Sequence, residues 1–265
     1  MPVRRIVAHE KVTDDAGRVA LQRGPIVYAA EWPDNPGGRV RNLVLPDASR
    51  LTSEFRPTLL NGVVVLKGRA RALAADAKGG VKATEQELVA IPYATWANRG
   101  PGEMIVWLPR TDDRAHPTPV ATVATAATVT VSQTVEGRGK SPRPITDGEA
   151  PRSSDDPSSY FDWWPVRGSA KEWVEMAFAK PATISESSVY WFDDTGHGGV
   201  RVPASWRLLY KDGTQWKPVE GAQAYGVARD GFNRVTFTPV TTGALRLEVT
   251  MQPTFSAGLQ EWTVK

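Results

Sequence analysis

The sequence predicts an all-β protein made of two β-sandwich domains in series. Several segments alternate apolar and polar residues with a period of two, as strands with one buried face do. Gly, Pro or Asp-Gly turns bound these segments, and hardly any stretch has helical periodicity. A chain of 265 residues is long enough for two domains that each bury a core of their own.

The second half carries the clearest alternation. Its apolar positions and its strand tryptophans are predicted to face a core: Val174, Met176, Phe178, Leu208, Tyr210, Val235, Phe237, Leu245, Leu247, Val249, Trp173, Trp191, Trp206 and Trp262. In the first half, strands are predicted at 19–22, 25–31, 63–66, 88–93 and 104–108, with 68–80 as a strand that runs into a loop. The halves are not copies of each other.

Charges, two prolines and small residues follow the last strand of the first half, as in a linker. The predicted organisation is therefore a domain at 1–112, a linker at 113–126 and a domain at 127–265.

Composition excludes several classes of function. The net charge is only +3, so nucleic acid is not expected as a partner, and no long apolar run indicates a membrane span. No cysteine is present, and His9, His116 and His197 are isolated, which leaves no zinc-ligand pattern. The first residues contain no secretory apolar stretch, so the protein is either cytoplasmic or its natural start lies upstream of Met1.

Aromatic residues concentrate in the second half, where seven of the ten tryptophans follow residue 160. Sugars present flat apolar faces rimmed by hydroxyls, so a sugar site needs an aromatic platform and a few fixed polar groups. Trp163 and Trp164 lie in a turn-rich segment, where one can stack on a ligand and one can fill a core gap. The polar loop at 192–203 carries His197 and Arg201 as donors, or it is a flexible loop with solvated charges.

Asp147, in an Asp-Gly turn, and the distant Glu261 form a candidate pair for a hard cation such as calcium, which accepts carboxylate and carbonyl oxygens. The alternative is a turn aspartate and an exposed strand glutamate.

Two stretches of the first half, GRVALQRGPIVYAAEWPDN at 17–35 and ELVAIPYATWANRGPGEMIVWLP at 87–109, resemble the C-terminal β-sandwich region of glycoside hydrolase family 127. This is the β-L-arabinofuranosidase-like group once catalogued as domain of unknown function 1680. In that family the region accompanies an (α/α)6 barrel with a glutamate acid/base and a zinc-associated cysteine nucleophile. The chain has no cysteine to match, so the resemblance implies a non-catalytic part of an extracellular or periplasmic glycoside hydrolase.

The second half resembles discoidin-type modules, including family 32 carbohydrate-binding modules, over about 127–265. The segments that carry this resemblance are VTVSQT, ITDGEAP, WVEMAFAKPATISESSVYWFDD, SWRLLYKDGTQWKPV and LRLEVTMQPTFSAGLQEWTV. It implies a jelly-roll sandwich, a structural calcium at Asp147 and Glu261, and ligand loops at 153–165, 193–203 and 252–258.

The sequence thus predicts an accessory protein that binds plant or bacterial glycan. Trp163 or Trp164, with Phe255, would stack on the sugar, and Asp193, His197 and Arg201 would hydrogen-bond it. Two alternatives remain open: a C-terminal piece of a complete or split family 127 hydrolase that pairs with the missing catalytic barrel, or a pair of purely structural bracing domains.

Overall fold

The protein forms two compact units, Met1–Val120 and Ala121–Lys265, in a computed structural model that describes residues 1–100, 102–133 and 141–265. The prediction of an all-β protein is confirmed. The helical segments of the described residues are short 3-10 turns, at Thr13–Asp15, Trp32–Asp34, Pro36–Gly38, Tyr93–Thr95, Asp112–Arg114 and Arg143–Thr146. Within the same residues, no helix has the length and apolar character that crossing a bilayer requires.

The first unit is a nine-stranded antiparallel sheet around a core that includes Leu21, Tyr28, Leu66 and Leu88. Its strands are β1 (Val3–Val7), β2 (Arg18–Arg23), β3 (Ile26–Glu31), β4 (Leu43–Val44), β5 (Thr52–Arg56), β6 (Val63–Ala75), β7 (Val81–Pro92), β8 (Met104–Ile105) and β9 (Leu108–Pro109). The sheet order is β1-β2-β3-β7-β6-β4, while β5 pairs with β6, β8 with β3 and β9 with β2.

The β6–β7 hairpin is longer than predicted, because pairing continues from Leu66–Ala90 out to Ala75–Val81. The Asp76 carboxylate closes the turn by accepting from the backbone N–H of Lys78 at 2.8 Å and of Gly80 at 2.9 Å. The outer part of β7 is exposed and has no apolar face, so its sequence carries no alternation that would reveal a strand.

The segment predicted as a linker is built into structure on both sides of the division between the units. Thr118 donates its N–H to the Leu73 carbonyl at 2.8 Å, and His116 donates to the Arg41 carbonyl at 3.1 Å. Ala124 lies in the core of the second unit with 1% of its surface exposed. The segment thus pairs with β6 of the first unit and contributes Ala124 to the core of the second, which composition alone does not reveal.

The second unit is a seven-stranded antiparallel sheet of order β11-β16-β12-β15-β13-β14, with β10 beside β12. Its strands are β10 (Thr128–Val131), β11 (Phe161–Asp162), β12 (Lys171–Phe192), β13 (Ser205–Asp212), β14 (Gln215–Pro218), β15 (Phe232–Thr250) and β16 (Gly258–Val264). The long strand β12 breaks register after Ala177, where its pairing with β15 shifts. The two halves of β12 and β15 line one core, so this sheet folds over into two layers.

That core contains Trp191, Trp206 and Trp262, as predicted, together with Val174 and Leu247. The prediction that Trp173 is a core residue is wrong. On β12 it shares the outward phase of Lys171 and Glu175, and its ring is partly exposed. The guanidinium of Arg246 lies 4.5 Å from its centroid and 4.4 Å from that of Trp216, so one arginine stacks between two tryptophans on the outer face.

In the first unit, Arg99 neutralises two buried carboxylates. Its guanidinium forks onto Asp34, with Nη1 2.8 Å from Oδ1 and Nη2 2.6 Å from Oδ2, and it also pairs with Glu31. Glu31 accepts the Ala97 N–H at 2.9 Å through its other oxygen. This network fixes the loop that follows Tyr93 onto the end of β3.

We expect Arg99→Met to lower the free energy of unfolding of the first unit by about 3 kcal/mol, because it leaves Glu31 and Asp34 buried without a counter-ion. Denaturant unfolding followed by fluorescence measures this. Arg110→Met is the control, since Asp47 is exposed and water replaces its partner, so little change is expected. Equal effects of the two substitutions would contradict the role given to Arg99.

Candidate functional site

Loops meet at one end of the second unit. The loop after β11, the loop after β12 and the loop before β16 are joined there by backbone hydrogen bonds. Ser256 donates its N–H to the Gly199 carbonyl at 3.0 Å, and Arg201 donates to the Ser256 carbonyl at 2.9 Å. Trp163 likewise donates to the Ala257 carbonyl at 3.1 Å. Backbone hydrogen bonds therefore hold the loops at fixed positions.

The Trp164 ring lies directly against the backbone of Gly199. A Cβ atom on Gly199 would stand only 2.1 Å from that ring, so no side chain fits at this position. The Arg167 guanidinium lies 5.4 Å from the ring centroid. The Trp164 ring is half-buried, which leaves part of it in contact with solvent.

Arg201 covers the ring of Phe255, with its guanidinium carbon 4.3 Å from the ring centroid. Its Nη1 donates to the Asp194 carboxylate and the Gly198 carbonyl, each at 3.1 Å, and to the Val200 carbonyl at 2.6 Å. The structure thus brings Arg201 and Phe255 together as predicted residues of one surface, with the arginine held in a single orientation.

Asp193 is not available to a ligand, and its predicted role needs correction. It is 2% exposed, and its carboxylate accepts from the N–H of Thr195 and of Val202, each at 3.0 Å, and from the Thr195 hydroxyl. Arg229 lies 3.7 Å away as its counter-ion. All of this bonding is internal, so Asp193 shapes the loop rather than facing solvent.

The predicted ligand-binding role of Trp163 also needs correction, because Trp163 belongs to the core. Only 1% of its surface is exposed, and its ring packs edge-on against Phe161 with centroids 5.2 Å apart. Of the two adjacent tryptophans, only Trp164 can offer a surface to a ligand.

His197 is exposed on the same loop, close to side chains that the sequence did not single out. A hydrogen bond from Ser153 holds the pKa of Asp155 below its usual range, and the charges of His197 and Arg229 act in the same direction. The charges of both His197 and Arg229 therefore reach Asp155. Arg167 was missed too, although its position three residues after Trp164 in WWPVRG is a visible signal.

Asp147 and Glu261 come together in the second unit, far apart as they are in sequence. Glu261 is 1% exposed; its Oε2 accepts the Gly148 N–H at 3.1 Å, and its Oε1 has no hydrogen-bond partner among the described residues. Asp147 accepts the Glu149 N–H and the Ser159 hydroxyl, each at 2.8 Å. A buried carboxylate beside a half-buried one, with an oxygen that lacks a hydrogen-bond partner among the described residues, is suited to a hard cation.

The pKa values report the same proximity. Burial, reinforced by the negative charge of Asp147, raises the pKa of Glu261 to about 10. Burial also raises the pKa of Asp147. In the parts of the chain that the structure describes, no group of three or more His, Cys, Asp or Glu side chains could hold a metal, so a cation at this pair would need backbone carbonyls as further ligands.

Comparison with known proteins identifies the first unit. Residues 3–109 match the family model described as the glycoside hydrolase family 127 C-terminal domain. These residues form a family 127 C-terminal domain. A non-reducing end β-L-arabinofuranosidase from Bifidobacterium longum subsp. longum is 39% identical over 119 residues, which cover 40% of this chain and 18% of that protein. The chain thus spans less than a fifth of the length of this curated relative.

Solved structures match parts of the chain. A family 127 β-L-arabinofuranosidase from Geobacillus stearothermophilus T6 matches at 44% identity with a TM-score of 0.39, covering 41% of this chain and 18% of that one. A chitosan-binding module of a chitosanase/glucanase from Paenibacillus sp. IK-5 matches at 19% identity with a TM-score of 0.40, covering 55% of this chain and 98% of that one. The scores are too low to bear on what the unit that follows the family 127 C-terminal domain binds.

We expect the stability of the second unit to fall as pH rises from about 4.5 toward 10 when divalent cations are removed. The folded-state pKa of Glu261 lies above its usual value of 4.5, so over this range the folded protein holds a proton that the unfolded chain releases. Melting temperature measured against pH tests this.

Glu261→Gln should flatten the slope, because an amide does not titrate. The control is Glu220→Gln, an exposed site of the same unit, which should leave the slope unchanged. An equal slope in wild type and Glu261→Gln would contradict the raised pKa of Glu261.

Proposed function

We propose that the second unit binds neutral glycan through a surface formed by Trp164, His197, Arg201 and Phe255, called here the loop surface. This surface combines aromatic rings with fixed hydrogen-bond donors: Trp164 lies on Gly199, and two residues further along the same loop Arg201 stacks on Phe255. Half-buried aromatic rings can contact the C–H face of a sugar, while guanidinium and imidazole groups donate to its hydroxyls.

Rigidity favours such binding. The Nη1 group of Arg201 makes three hydrogen bonds within its own loop, so little side-chain entropy is lost when a ligand arrives. The surface is small and polar, and we expect weak, reversible binding. Hydrolysis would belong to the remainder of a family 127 protein, and this chain would act as its accessory portion.

Trp164→Ala should weaken binding of a neutral plant polysaccharide such as arabinan or galactan about tenfold, because it removes the largest apolar face of the loop surface. Phe255→Ala should act in the same direction. Isothermal titration calorimetry or affinity electrophoresis measures the change.

The matched control is Trp96→Ala, which removes an exposed tryptophan from the other unit and should leave affinity unchanged. If wild type and Trp164→Ala bind every tested polysaccharide equally, the loop surface is not the binding site.

We further propose that calcium binds at Asp147 and Glu261 and serves stability rather than chemistry. Two features support this: Glu261 Oε1 is buried and lacks a hydrogen-bond partner among the described residues, and the Glu261 carboxylate lies beside that of the half-buried Asp147. Calcium would offset their mutual repulsion and the penalty of burial.

Millimolar calcium should raise the melting temperature of the second unit, and EDTA should reverse the gain. Glu261→Gln should lose most of this response, and Glu220→Gln should keep it. Magnesium in place of calcium tests selectivity. An identical calcium response in wild type and Glu261→Gln would refute the site.

A second candidate function concerns the family 127 C-terminal domain. Tyr93 and Trp96 stack with centroids 6.0 Å apart, although they are 44% and 39% exposed. Val27, on β3, is also exposed, and it lies next to Tyr93 because the neighbouring residues Tyr28 and Pro92 pair. Val27 therefore forms an apolar patch with Tyr93 and Trp96, which lie on the loop that Arg99 fixes. The patch favours contact with the catalytic barrel of a family 127 protein.

Trp96→Ala should abolish co-purification of this chain with a family 127 polypeptide truncated before its own C-terminal domain, because the patch loses its larger ring. Phe55→Ala, at an exposed aromatic on β5, is the matched control and should have no effect. Equal co-purification of wild type and Trp96→Ala would exclude this contact surface.

A further inference from the structure

A cleft of about 410 Å³ lies on the outer face of the second unit. Three adjacent strands, β12, β15 and β13, provide it, so its walls belong to the sheet rather than to loops. The buried Trp206 and Val249 are also in contact with it. We call the surface formed by its outward side chains the outer cleft. These side chains are Lys171, Trp173, Ser205, Arg207, Glu248 and Thr250.

Strand register places these side chains in two rows. Glu248 pairs with Trp173 on one side and with Arg207 on the other, so the three lie across the sheet in one line. Thr250 pairs in the same way with Lys171 and Ser205. An aromatic ring, an ion pair and two hydroxyl groups therefore share one concave surface.

The Trp173 ring is supported by a stacked arginine. The Arg246 guanidinium stacks on its ring at 4.5 Å and is itself fixed by Glu175, with Nη2 3.0 Å from Oε2. The same guanidinium stacks on Trp216, which does not line the cleft. This stack orients the Trp173 ring in advance, so that it lines the cleft without further ordering.

The outer cleft contains an ion pair. Arg207 donates from Nε to Glu248 Oε2 at 2.7 Å, and its Nη2 lies 2.6 Å from the same oxygen. Glu172 lies between the two rows, and its side chain is buried and hydrogen-bonded to Ser132 and Gln133, so it does not belong to the outward side chains. Lys171 is the remaining charged group of the outer cleft. A surface that offers paired charges and hydroxyl groups beside an aromatic ring suits a neutral polyol.

We propose that the outer cleft is a second glycan-binding surface, which takes a neutral sugar chain stacked on Trp173 and hydrogen-bonded by the Arg207–Glu248 pair. The cleft lies apart from the loop surface in its residues, and it shares none of them. This second surface rests on the proposed binding of glycan by the second unit, but it depends on different side chains.

The test measures affinity for soluble arabinan and galactan, with polygalacturonate as an acidic comparator. Trp173→Ala should weaken binding of the neutral chains about tenfold. Ser205→Trp, which fills the cleft without touching the Arg246 stack, should do the same. Trp216→Ala is the matched control: it removes the other stacking partner of Arg246 and should bind as wild type does.

Several results would overturn the proposal. One is unchanged affinity in both Trp173→Ala and Ser205→Trp. Another is an equal loss of affinity in Trp216→Ala, which would mean that the stack on Arg246 is only structural. A third is tighter binding of polygalacturonate than of neutral chains. Trp164→Ala in the same assay separates the two surfaces. A loss only in Trp164→Ala leaves the loop surface alone, and a loss only in Trp173→Ala leaves the outer cleft alone. No binding to any of these chains by wild type refutes both.

Discussion

The loop end of the second unit depends on one buried carboxylate, that of Asp193. A charge out of contact with water is costly unless hydrogen bonds compensate it, and Thr195 and Val202 supply them from both sides of the loop. The Asp193 N–H also donates to the Ser154 carbonyl at 2.8 Å, which brings in a further loop. With its two ends fixed in this way, the loop presents Gly199 beneath Trp164 and the Arg201 side chain over the ring of Phe255.

In both units, arginine side chains hold exposed aromatic residues in place. In the family 127 C-terminal domain, Arg99 draws two carboxylates together and fixes the loop that carries Trp96. In the second unit, Arg246 stacks between Trp173 and Trp216 and Arg201 stacks on Phe255. Each arginine orders an aromatic surface before any ligand arrives. Two weak glycan surfaces on one unit would bind a long chain more tightly than either does alone.

The sequence was sufficient for the all-β class, because period-two alternation indicates strands with one buried face. Residue type was sufficient for three buried strand tryptophans, Trp191, Trp206 and Trp262. Trp173 illustrates what a residue type conceals: tryptophan suggests the core, but its phase with Lys171 and Glu175 places it outward. Trp163 and Trp164 are adjacent, and only tertiary contacts decide which is buried. Asp193 was assigned to a ligand because a loop carboxylate can either bind a sugar or bond its own backbone, and sequence does not separate these roles. The outer half of β7 has no apolar face and so leaves no pattern at all.

Glycan binding by the second unit is tested most directly by following the tryptophan indole N–H signals in a two-dimensional NMR spectrum during titration with a neutral plant oligosaccharide. We expect the signals of Trp164 and Trp173 to shift, while those of the buried Trp163 and Trp191 stay in place. Saturable shifts confined to Trp96, or binding that leaves both Trp164 and Trp173 unmoved, would contradict it.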